Sequence, residues 1–102
     1  MEVKTEGHKY ELDSFEGGPA QVLQFIEKRP ASEGSTELET INDGTTNEEV
    51  LRVLINRMNH LQDKFPCREN AIVITKLEES LMWLNHRTAN RTARGVEGKQ
   101  VA

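Results

Sequence analysis

The 102-residue chain has one cysteine, Cys67, so no disulfide can form within it. That economy fits a reducing compartment. No apolar run approaches the roughly 18 residues that a membrane-spanning helix needs. The opening stretch MEVKTEGHKYELD lacks the apolar centre of a secretory leader, so the reading is a soluble, cytoplasmic protein with no membrane partner. Catalytic signatures are missing too. There is no P-loop, no GxGxxG and no metal-ligand spacing, and His8, His60 and His86 are scattered. Glu78 and Glu79 are adjacent and so face different sides of a helix, which leaves no paired-carboxylate site. Cys67, near a helix start where a thiolate would be stabilised, has no base placed beside it by spacing. The expectation is a chain without catalysis, cofactor or metal. Apolar residues are sparse as well, at 35% with a mean hydropathy of -0.66. At this size folding hides somewhat under about 70% of the unfolded surface, so the core is thin and subunit contacts would add burial.

Charge is present, but divided. Residues 1–49 carry 12 Asp and Glu against 4 Lys and Arg, whereas residues 50–102 carry 5 against 9, which together give the net charge of -4. An acidic chain argues against a nucleic-acid polymer as partner. The basic second half keeps a small anion in view.

The pattern along the chain predicts an α+β protein: a small N-terminal antiparallel sheet over 1–45, then a long antiparallel αα-hairpin over 46–102 with a short C-terminal tail. HKYELDSF, QVLQFIEK and TELETIND predict three short strands, separated by the turn SFEGGPA and the loop RPASEGS. TNEEV then forms a capping box of Thr46 and Glu49. Val50, Leu51, Leu54, Ile55, Met58, Leu61 and Phe65 recur at helical spacing, predicting a first helix to about Lys64. After the connector KFPCRE, a second helix is marked by Ala71, Ile74, Leu77, Leu81 and Leu84. It can run to Arg94, with Gly95 as its stop. Ile72, Met82 and Trp83 lie off that stripe, so this helix has a second apolar face for another chain.

Below Leu84 the apolar stripe gives way to Arg87, Arg91 and Arg94. Arg87 and Arg91, four apart, share a helix face. Two readings stand on helix physics. The cations offset the negative helix end, or their guanidinium forks hold phosphate oxygens, two forks one turn apart matching a diphosphate. His60 near the end of the first helix and Asn70 at the start of the second fit either ordinary surface roles or contacts to a base or ribose.

The stretch FPCRENAIVITKLEESLMWLNHRTANRTARGVEGK resembles the helical hairpin shared by two kinds of phage immune-evasion protein, the Thoeris anti-defence sponges and the anti-CBASS cyclic-nucleotide sponges. The opener NDGTTNEEVL and the tail HRTANRTARGVEG resemble the Thoeris anti-defence protein 1 family in particular, over residues 42–99. The resemblance implies a non-enzymatic binder of glycocyclic ADP-ribose that assembles as a dimer and further as a hexamer, with cyclic oligonucleotides as possible additional ligands. It implies Arg87 and Arg91 as phosphate contacts, Asn70 as a polar contact, and His60 where the family carries a base-stacking aromatic. Arg68 would belong to a cyclic-trinucleotide site at a subunit junction. The alternatives are a sponge for CBASS cyclic di- and trinucleotides, or a small oligomeric adaptor that binds another protein.

Overall fold

The computed structural model describes residues 1–102. The chain divides into two units, Met1–Thr46 with Gly98–Ala102, and Asn47–Glu97.

The first unit is built from five strands: β1 (Glu2–Thr5), β2 (Lys9–Leu12), β3 (Gln21–Gln24), β4 (Glu27–Pro30) and β5 (Leu38–Asn42). They form two small antiparallel sheets, ordered β1-β2-β3 and β4-β5, not the single three-stranded sheet expected. The difference arises at QVLQFIEK, which is two strands with a change of sheet between them. At the crossing Phe25 N–H donates to His8 O at 2.7 Å, and Ile26 N–H to Thr45 O at 2.9 Å. The Gln24 amide also donates to Phe25 O at 2.7 Å, so the chain's polar groups stay satisfied through the bend. Gly44 sits against this crossing. A Cβ there would lie 2.6 Å from Phe25 C and 2.8 Å from Phe25 O, closer than carbon atoms approach.

Two further differences follow from pairing that alternation does not reveal. EVKT, too polar to read as a strand, pairs with β2 through Val3↔Tyr10 and Glu2↔Glu11. On this edge strand the Lys4 ammonium bonds Glu2 at 3.1 Å. That hydrogen bond, with the charges of Glu11 and Glu2, raises the Lys4 pKa above its ordinary 10.5. Arg29 and Pro30, expected in a loop, close the β4-β5 ladder opposite Glu39 and Leu38. Both strands of this two-stranded sheet are edges, where proline is tolerated, and Arg29 pairs with Glu39 across the ladder at 2.7 Å. The C-terminal tail joins this unit, with Gln100 N–H on Thr36 O at 2.8 Å and Lys99 on Glu37 at 3.4 Å.

The second unit is the predicted helical hairpin, α1 (Asn47–Lys64) packed on α2 (Arg68–Ala93). Glu48 and Glu49 in the first turn of α1 complement its positive end. The expected stripes face inward and are half-buried at Val50, Leu51, Ile55, Met58 and Leu61, and at Ile74, Leu77, Leu81 and Leu84. Gln62 fixes the connector from both sides, its Oε1 accepting from Cys67 N–H and its amide donating to Cys67 O, each at 3.0 Å. The Cys67 sulfur caps α2 by accepting from Asn70 N–H at 3.4 Å. Leu54, Phe65 and Ala71, expected on the inner stripes, are exposed, as are Ile72, Met82 and Trp83 of the second apolar face. Phe65 and Ala71 sit at the connector end of the hairpin, where no facing turn covers them, whereas Leu54 lies mid-helix at the margin of its stripe.

Candidate anion site on the second helix

At 26 residues against 18, α2 outruns α1 by about two turns. Arg87 and Arg91 lie in that overrun. Arg87 is exposed. Arg91 is 4% exposed, and it is the one side chain of the whole protein that is buried; no apolar side chain is. It lies seven residues beyond the half-buried Leu84 on the inner stripe, and the chain that returns after the helix, with Val96 and Glu97, meets it there.

Arg91 is satisfied locally. Its Nε donates to Glu97 Oε2 at 3.2 Å and its Nη2 to Val96 O at 2.8 Å. The acceptors arrive there because the chain reverses at the end of α2. Arg94 is the C-cap and Gly95 adopts φ 72°, the left-handed conformation that glycine takes without penalty. Gly95 N–H then bonds Thr92 O and Val96 N–H bonds Arg91 O, both at 3.0 Å. This is a Schellman reversal. Arg94 turns to its own helix, donating to Asn90 Oδ1 at 3.0 Å. Beside Arg87, Trp83 and His86 stack edge-to-face with ring centres 5.6 Å apart.

The remaining predicted residues lie at the other end of the hairpin. His60 is exposed near the end of α1, Arg68 is exposed in the first turn of α2, and Asn70 beside it is half-buried. Asn70 and Arg87 are seventeen residues apart on one helix, roughly 25 Å at about 1.5 Å per residue. Within a single chain the structure therefore brings Arg87 near Arg91, and Arg68 near Asn70, but does not bring the two groups together. Arg68 lines an open concavity of about 370 Å³ with Ala71, Ile72, Thr75 and Lys76. A second, of about 450 Å³, is lined by Ile55, Glu78, Leu81, Met82 and Asn85. No group of three or more His, Cys, Asp or Glu side chains is placed to hold a metal ion, and no helix is long and apolar enough to cross a membrane.

Glu97 and Val96 are contacts of Arg91 that residue patterning does not anticipate. One signal was present: Glu97 is the sole carboxylate side chain after Glu79, two residues past the glycine that turns the chain back.

A family model for the hairpin domain of Acb2/Tad1 matches residues 21–89, about two thirds of the chain. The chain belongs to the Acb2/Tad1 hairpin family. The match takes in β3 to β5, all of α1 and most of α2, and ends between Arg87 and Arg91. One curated relative, Thoeris anti-defense 1 of Bacillus phage SBSphiJ7, is 56% identical over 57 residues, covering 55% of this chain and 40% of the relative. The chain therefore spans about two fifths of the length of that relative.

Proposed function

We propose that this member of the Acb2/Tad1 hairpin family is a phage anti-defence sponge. It binds glycocyclic ADP-ribose without degrading it and thereby blocks Thoeris immunity. The observation that carries the reading is the 56% identity to a protein named for that role, together with two arginines one turn apart at the end of α2. Their forks suit the diphosphate of such a signal, and Asn70 and His60 supply contacts to its ribose and base. Binding without cleavage is the chemistry that this set of residues favours.

The site is completed by a second copy of the chain. Asn70 and Arg87 are too far apart on one helix to share a nucleotide-sized ligand. Two α2 helices packed antiparallel would place the Asn70 end of one beside the Arg87 end of the other. The exposed Ile72, Met82 and Trp83 provide the apolar surface for that pairing. A homodimer, or a hexamer built from such dimers, is the expected assembly in the host cytosol.

A second reading, uptake of cyclic oligonucleotides in addition, is favoured by the concavity at Arg68. There two cations, Arg68 and Lys76, flank an apolar floor at Ala71 and Ile72.

The test is to incubate the purified protein with glycocyclic ADP-ribose, filter it, and then heat the retained protein. Depletion of the signal from the filtrate and its intact recovery on heating are expected. Signal left in the filtrate would refute the sponge, and altered signal on recovery would refute binding without cleavage. The same assay with a cyclic trinucleotide, on the protein and on Arg68→Ala, decides the second reading.

A further inference from the structure

We infer that Glu97 is a resident anion on Arg91, and that the phosphate of an incoming ligand takes its place. The inference rests on the sponge reading and adds to it the residue that sets how strongly a ligand must be charged to enter.

An arginine that is 4% exposed offers almost no surface to a ligand. An anion can reach it only if something already there withdraws. Glu97 and Val96, both acceptors of Arg91, differ in how readily they can do so. Val96 O belongs to the backbone of the Schellman reversal, held by the Val96 and Gly95 hydrogen bonds to α2. Moving it would unwind the helix end. The Glu97 carboxylate sits at the end of a flexible side chain and is 45% exposed, so it can swing into water by changing rotamer while the reversal stays closed. Once there it is resolvated at little cost, because the carboxylate already stands half in water.

Carboxylate and phosphate present similar oxygens to a guanidinium, and both form charge-assisted hydrogen bonds with it. The exchange is therefore chemically even except in charge. A ligand with a diphosphate replaces one negative charge with two, and Arg87, four residues away on the same face, adds to its attraction. A neutral nucleoside gains nothing at Arg91 that would offset the loss of Glu97. Glu97 thus holds Arg91 extended and ordered in the empty protein, and excludes ligands that lack a dense negative charge.

The test uses Glu97→Gln, which keeps the shape and removes the charge, with Glu97→Ala as a second variant. Binding of glycocyclic ADP-ribose is measured by calorimetry on the full chain, and melting temperature is measured without ligand. Both variants should bind about fivefold more tightly than the parent, the size of a modest ion pair converted to affinity, while melting slightly lower when empty. Opposite shifts of affinity and stability mark an exchanged anion, because a purely structural role would lower both. Variants that bind while the parent does not would support the inference in its strongest form. Folded variants with equal or weaker affinity than a binding parent would overturn it and leave the sponge reading standing. No uptake by parent or variants would overturn both.

Discussion

Arg87 and Arg91 are neighbours on one helix face, yet their surroundings make different demands on a mutation. Arg87 is exposed, so Arg87→Ala should leave the melting temperature nearly unchanged while affinity for glycocyclic ADP-ribose falls about tenfold to a hundredfold, the value of one or two charge-assisted hydrogen bonds. Arg91→Ala should lose binding and also about 1–2 kcal/mol of stability, because Val96 O and the half-exposed Glu97 lose their donor. Calorimetry paired with thermal melts separates the two. Equal stability losses in both variants would contradict the contrast. Gly44 makes a steric demand instead. Its neighbours within Cβ reach are backbone atoms of Gln24 and Phe25, which cannot rotate away, so Gly44→Ala should cost about 1–3 kcal/mol in a denaturant titration.

At the scale of elements, the hairpin was legible and the sheets were only partly so. Helical spacing in α1 and α2 runs over many residues, the capping box and Gly95 mark two of the ends, and the observed helices match within a residue or two. The strands are four or five residues long, too short for alternation to speak clearly, and their pairing is settled by distant partners such as Thr45 on Ile26. The connector depends on one side chain that carried no pattern. Gln62 makes both hydrogen bonds to Cys67, so Gln62→Ala should destabilise the hairpin by about 1–2 kcal/mol. Amide exchange at Cys67 and in the first turn of α2 should accelerate with it, and unchanged protection there would show that the connector is held by other means.

For the molecule as a whole, the decisive fact is the want of a dry interior. No apolar side chain is buried in the single chain, while Phe65 is 82% and Trp83 63% exposed. Exposed apolar surface on this scale, beside half-buried stripes, is the observation behind the proposed assembly. Replacing both Met82 and Trp83 with Asp should reduce the assembly to monomers in analytical ultracentrifugation and weaken ligand binding with it. Both effects are expected together because the proposed site is completed by a second copy.

The hairpin and the proposal of an anionic ligand rest on local chemistry: the apolar stripes, the capping signals, and the arginines that follow them are written in consecutive residues. Spacing along a helix is a short-range property, so the sequence by itself could determine that Arg87 and Arg91 share a face. It could not determine that one would be buried and the other open. That depends on where α1 begins, on the reversal at Gly95, and on the return of Glu97 over the last turn. Those are relations between segments, and only the folded chain brings them into contact.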